Sequence, residues 1–297
     1  MPAVLLATCA ALPDGDEDAD LLVGALADAG VEARWAVWND PSVDWDADLV
    51  VLRSTWDYTV DRDAFLDWVA RLRQVANGPA VVRWNTDKVY LRDLAVAGIP
   101  TVDTAFAAPG QAVQFAPHTT EFVVKPSVGA GSRGVGRFTP DRADDAHRHV
   151  ADLHAAGRTA MVQPYLDAVD TVGETALIYF DGRFSHAVRK GPMLPEGIAH
   201  PVHGWELFVE ERIEARQPDA AELQIGEAVL AAVRSRFGAD QLYARVDLLP
   251  GAAGPVVVEL ELTEPSVFLL HGADGDQPVR RFAAAISARA QPANAGR

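Results

Sequence analysis

Glu259 and Glu261 stand one residue apart at the end of the apolar run 256–258, and a third acid, Asp247, lies twelve residues before Glu259 and two after Arg245. Alternate residues of a strand share a face, so Glu259 and Glu261 point the same way. Asp247 joins them if the two segments pair as a hairpin. Three carboxylates on one face are either a solvated polar surface or ligands that a hard divalent cation neutralises. The unbroken valines argue for a buried strand and so for the cation. Magnesium fits, because it takes carboxylate and nucleotide phosphate oxygens together.

Lysine is scarce. Of the 26 basic residues only Lys88, Lys125 and Lys190 are lysines. A chain that fills its surface with arginine has little generic use for lysine, so these three are expected where a compact, mobile ammonium is needed. Lys125-Pro126 leads into Gly129-Ala130-Gly131-Ser132-Arg133-Gly134, a literal G-x-G-x-x-G. The dinucleotide-binding form of that motif opens directly into a helix. Here 135–139 reads as extended, which predicts a strand–loop–strand hairpin. Such a loop can lay backbone N–H groups over phosphate oxygens, and its glycines permit close approach.

The elements that must position these groups follow from periodicity. The first 85 residues alternate strands (3–8, 32–38, 48–53 and 80–84) with helical spacings at Leu22, Leu26 and Ala29 and at Phe65, Val69, Leu72 and Val75. This predicts a small open sheet with helices on both faces. In such sheets ligands bind beyond the carboxyl ends of the strands, where Arg53-Ser54-Thr55-Trp56-Asp57-Tyr58 falls. Thr86 is expected to cap a helix that runs to Gly98. Strands are then expected at 121–125 and 160–163 with a helix at 141–156 between them. Further strands are expected at 174–180, 184–189, 242–249 and 255–262, with a helix through Leu223 and Phe237.

Composition narrows the function. A net charge of −16, from 42 acids against 26 bases, argues against a general grip on nucleic acid or an anionic membrane. One cysteine, Cys9, leaves no intrachain disulfide framework and no cysteine-rich metal site. The apolar N-terminus lacks a basic flank and reads as a buried strand, and no apolar run is long enough to span a bilayer. A cytoplasmic location is the expectation.

In order and spacing these segments resemble the ATP-grasp enzymes, closest to the glutathione synthetase and ribosomal-protein glutamate ligase branch, over roughly residues 86–265 and more loosely along the whole chain. The resemblance implies an α/β fold, α+β in its ATP-grasp part. An N-terminal open α/β sheet domain (1–85) would precede a central lobe with a linker helix and the glycine-rich flap (86–185). A C-terminal lobe with the metal-binding strands (186–290) and a frayed tail (291–297) would follow. Asp87-Lys88 and 122–126 match the family's two lysine motifs, which place Lys88 and Lys125 on the phosphates of ATP. Ser127, Gly129, Gly131, Ser132 and Gly134 accompany them in the flap. Residues 161–165 resemble the hinge that pairs with adenine, which brings in Gln163, Pro164 and Tyr165. Asp167 would lie near the ribose, and Glu174 joins the nucleotide set. Asp247, Glu259 and Glu261 match the magnesium-binding strands, with Glu261 where the family usually has asparagine. The arginine that commonly follows the glycine-acid pair is replaced by Thr175-Ala176. Arg189 and Lys190 resemble a second basic position and are the candidate catalytic residues, Arg189 to hold an acyl phosphate or its tetrahedral adduct.

The implied chemistry is phosphoryl transfer from ATP to a carboxylate, then attack of an amine on the acyl phosphate. Substrate residues are expected at the N-terminal sheet and after the acid pair: Asp16, Glu17, Arg53, Ser54, Thr55, Trp56, Asp57, Tyr58, His200, Glu264 and Ser266. Arg53 would clamp a carboxylate, and Asp16, Glu17 or Asp57 an ammonium. Such a pocket suits a small amino-acid-like substrate. Segments 53–58 and 259–266 together resemble the cyclo-ligases of the cycloserine pathway, which close O-ureido-D-serine into an isoxazolidinone ring. An intermolecular amino acid or peptide ligase and a nucleotide-binding module without turnover are the alternatives. Homodimers are usual in the family.

Overall fold

The computed structural model describes residues 1–113, 120–131, 133–192 and 212–291. Ser132, His200 and the tail from 292 onward lie outside the described residues. Strands β1 (Ala3–Thr8), β2 (Glu32–Val37) and β3 (Leu49–Ser54) form a parallel sheet in the order β2-β1-β3, with α1 (Ala19–Asp28) crossing from β1 to β2. Side chains alternate along β1, so its two faces are covered by different helices. Val4 and Leu6 pack under Leu22 and Leu26 of α1. Leu5 and Ala7 pack under Phe65 and Val69 of α2 (Arg62–Arg71). Val75 lies beyond that helix and bridges Val50 of β3.

Residues 80–84 are helical and not a strand, within α3 (Pro79–Asn85). A short apolar run fits either element, and local chemistry decides. Pro79 presets a helical φ in the first turn. The Gly78 carbonyl accepts the N–H groups of Val81 and Val82. Thr86 ends this helix and does not cap the next one, which is confined to α4 (Tyr90–Val96).

The second sheet is antiparallel, β4 (Ala105–Ala107), β5 (Phe122–Pro126), β6 (Gly136–Phe138) and β7 (Ala160–Pro164), in the order β4-β7-β5-β6. Helix α5 (Ala143–Ala155) covers one face through Ala146, Val150 and Leu153. Val124 pairs with Gly136, so the glycine-rich segment is the connection of a β-hairpin, as its extended continuation predicts. A single turn, α6 (Ala168–Thr171), leads to the third sheet.

That sheet holds β8 (Glu174–Phe180), β9 (Arg183–Lys190), β10 (Ile213–Arg216), β11 (Tyr243–Gly251) and β12 (Gly254–Glu261), in the order β10-β9-β8-β11-β12. The division expected at 185/186 runs through β9. Helix α7 (Ala220–Phe237) opens with a reciprocal cap between Asp219 and Glu222 and stops at Gly238, φ 79°. Helix α8 (Gln277–Ala290) puts Phe282 and Ile286 into a core shared with Leu22 of α1 and with Ile178 and Phe180 of β8. Among the described residues no helix is long and apolar enough to cross a membrane.

Asn77 joins the first and third sheets. It is 2% exposed, with φ 57°. Asparagine tolerates that left-handed backbone better than most residues. Its amide donates to the carbonyls of Tyr243 and Leu262 at 2.8 and 2.7 Å and accepts from the Leu242 N–H at 2.7 Å. Asn77→Ala deprives three buried backbone groups of this partner. At about 1–3 kcal/mol for each group left unsatisfied, we expect a loss on the order of 3 kcal/mol. Urea unfolding tests this, and a loss below about 1 kcal/mol would remove Asn77 as the joint.

Candidate active site

A cavity of about 270 Å³ opens between the second and third sheets and reaches the carboxyl end of the first. All three lysines line it. The register explains why the acids meet. Antiparallel pairing sets Asp247 opposite Glu259 and Arg245 opposite Glu261. The pairing then slips, because Leu248 faces Val257 and Val258 is left over. This bulge keeps the acids on the cavity face while Val257 stays buried. One oxygen from each of Asp247, Glu259 and Glu261 lies within 4.8 Å of the others. Three hard oxygen donors gathered on one face are the donor type that magnesium takes.

Much of the counter-charge comes from the protein itself. Lys88 bonds Glu259 at 3.0 Å and gives a second hydrogen bond, 2.7 Å, to the Gly129 carbonyl in the flap. Lys190 lies 2.9 Å from Glu174 and 3.0 Å from Asp247. Arg245 Nε donates to Asp247 at 2.9 Å, and its Nη2 donates to both Asp247, 2.9 Å, and Glu261, 2.5 Å. Burial alone would raise the Asp247 carboxyl, but Arg245 and Lys190 hold it below the usual range. Burial likewise opposes Glu259, and Lys88 with Lys125 keeps it ionised. Glu261 has less help, so burial pushes it up to about 7 despite Arg245. Among the described residues Lys125 forms no ion pair, and burial lowers its ammonium pKa.

The nucleotide set divides. Gln163, Pro164, Tyr165, Glu174, Gly129 and Gly131 line the cavity. Ser127 lies behind, where its carbonyl accepts the Lys88 N–H, and Gly134 gives its carbonyl to His149. Asp167 stands at the start of α6, outside the cavity wall. Val102, Val123, Leu249 and Leu260 add an apolar floor that periodicity did not single out.

Arg189 is not in the cavity. Neighbouring residues of a strand point to opposite faces, so the orientation that brings Lys190 inward turns Arg189 away. Its Nε bonds the Val172 carbonyl, and Glu214 lies 3.7 Å from Nη1. Gly173, φ 79°, allows this fold-over, since a Cβ there would sit 2.8 Å from Arg189 Nε. The guanidinium that does face the acids belongs to Arg245. Its signal was present, because it shares the alternation of Asp247 two residues on.

The expected carboxylate and ammonium clamps also move. Arg53 is wholly buried, donating to the Pro265 carbonyl at 3.0 Å and to Asp16 at 3.3 Å. Ser54 is buried on Thr8, and Thr55 is buried as well. Asp57 accepts from Trp38 at 2.7 Å, and Glu17 is exposed. Neither lines the cavity, and neither does Asp16. Trp56, Tyr58, Glu264 and Ser266 do.

Two antiparallel sheets enclosing such a cavity, with a glycine-rich hairpin over it, form the ATP-grasp fold. The fold is shared with D-alanine–D-alanine ligase from Bacillus anthracis in complex with ATP, at TM-score 0.64 and 15% identity, covering 97% of this chain and 98% of that one. Residues 4–77 match the family described as D-cycloserine synthetase DcsG, N-terminal domain. The cycloserine biosynthesis protein DcsG of Streptomyces lavendulae is 38% identical over 293 residues, 93% of this chain and 95% of that protein. A crystal structure of D-cycloserine synthetase DcsG superposes at TM-score 0.86 with 37% identity, covering 97% of this chain and all of that one. The chain belongs to the DcsG family.

Proposed function

We propose that this ligase closes O-ureido-D-serine into the ring of D-cycloserine with ATP as the driving reagent. The single observation that carries the reading is that the cavity joins the Lys88, Lys125 and acid cluster to the Trp56, Tyr58, Glu264 and Ser266 wall. Likeness to the DcsG proteins along nearly the whole chain supports the choice of substrate.

The task of the site is charge management. A substrate carboxylate oxygen attacks the γ-phosphorus, the β–γ bridging bond breaks, and ADP leaves. Lys88 and Lys125 would hold the phosphates, with the flap amides beside Gly129 and Gly131. Asp247, Glu259 and Glu261 would hold magnesium, whose charge when bound offsets that of the phosphate oxygens. The nitrogen attached to the substrate's own oxygen then attacks the acyl carbon, and the C–O bond to phosphate breaks. Arg245 would hold Asp247 and Glu261 in position, and its positive charge beside them would steady the departing phosphate or the tetrahedral adduct. That nitrogen carries the carbamoyl group, so atom balance requires one water for its loss as carbon dioxide and ammonia. Closure of the flap would shield the acyl phosphate from water.

ADP release measured with O-ureido-D-serine alone tests the reading. We expect one ADP per ring formed, with no second amino acid needed and no release once magnesium is chelated. ADP that appears only with two amino acids together would instead establish an intermolecular ligase.

A further inference from the structure

Glu264 is a buried acid on the cavity wall, and Lys88, the cation whose charge reaches it, makes its direct ion pair with Glu259 instead. Tyr58 lines the same wall. Among the described residues Glu264 forms no ion pair, because the nearby cations are committed elsewhere: Lys88 to Glu259, Lys190 to Glu174 and Asp247, Arg245 to Asp247 and Glu261. Burial, and next the charge of Glu261, pushes this carboxyl well above the usual range. A buried acid that lacks a direct ion-pair partner is costly unless something arrives to supply one.

The backbone that carries it is held in place from outside. Five consecutive carbonyls each accept a bond from a side chain of another element. Thr263 takes one from the Tyr243 hydroxyl at 2.8 Å, Glu264 from Trp56 Nε1 at 2.9 Å, and Pro265 from Arg53 at 3.0 Å. Ser266 takes one from Arg245 at 3.3 Å, and Val267 from His186 Nε2 at 2.9 Å. Asp18 then receives the N–H groups of Leu269 and Leu270. A segment anchored at every residue presents its side chains at a fixed depth, which a selective contact requires.

We infer that Glu264 selects substrates bearing a free ammonium group by pairing with that ammonium, with Trp56 and Arg53 as positioning residues that set its depth. The inference rests on the ring-closing reading for the substrate's identity, though not for its charge pattern. It replaces Asp16, Glu17 and Asp57, none of which lines the cavity.

The test compares O-ureido-D-serine with its des-amino counterpart, 3-(ureidooxy)propanoate, by calorimetry in the presence of magnesium and ADP and by ADP release. The unmodified protein should prefer the amine by about 100-fold or more. Glu264→Gln should bring the amine down to the level of the des-amino ligand, with KM for ATP within about threefold. Trp56→Phe should raise KM for the amine by about tenfold while kcat holds, the pattern of a displaced binding contact. A preference that survives in Glu264→Gln, an equal loss for both ligands, or a rise in the magnesium requirement overturns the assignment. If the unmodified protein releases no ADP with O-ureido-D-serine, the ring-closing reading fails by itself. Calorimetry with D-serine against D-glycerate then decides the role of Glu264.

Discussion

Arg245→Ala is expected to cut ADP release by about 10³-fold at saturating ATP and substrate, a loss typical of a fixed charge placed beside a reacting anion. Arg245 touches Asp247, Glu261 and the Ser266 carbonyl at once, so it borders both the metal acids and the substrate wall. Arg245→Lys should recover little, because an ammonium cannot reproduce the planar fork. Nucleotide affinity, measured separately by calorimetry, should survive better than turnover, since Lys88 and Lys125 remain. The alanine variant also leaves Asp247 and Glu261 short of a partner, so its stability must be checked beside its rate. Turnover within about tenfold of the unmodified protein would remove Arg245 from the reaction.

Lys125→Ala is expected to abolish ADP release with a modest cost to folding. Among the described residues Lys125 forms no ion pair, so its removal leaves no acid that loses a direct partner. The Lys125 charge still helps keep the buried Glu259 ionised, so a loss of about 1 kcal/mol is expected, and unfolding is measured beside the rate. The loss should fall on ATP, with KM raised and ADP release reduced by at least about 10²-fold. Burial lowers the Lys125 pKa, so its proton leaves at a lower pH than that of an ordinary lysine. Nucleotide affinity of the unmodified protein should therefore fall as pH rises into the alkaline range, and Lys125→Ala should flatten that fall. A variant that releases ADP at the unmodified rate would end the role proposed for this lysine.

The acid trio was legible because one local rule, the two-residue period of a strand, governs it. The same rule extends to Arg245 and explains the misplacement of Arg189, which alternation turns away from Lys190. Strands such as β1 and β8 were readable as continuous apolar runs. The run 80–84 was not, since its helical state depends on Pro79 and on burial against two different cores. The bulge at Val258 was hidden as well, because three valines in a row carry no alternation to interrupt. The substrate wall was only half legible. Whether Arg53 meets a ligand or the Pro265 carbonyl depends on packing between residues 212 positions apart, and no local pattern encodes that.

The restriction of lysine to one cavity gives the protein an unusual chemical handle. An amine-selective label such as pyridoxal phosphate with borohydride, or a mild acetylating reagent, has three side-chain targets in this chain besides the N-terminus. Mass shifts after labelling would thus report occupancy of a single chamber, with almost no background from the exterior. Shielding of Lys88, Lys125 and Lys190 by added nucleotide could be followed residue by residue without any mutation.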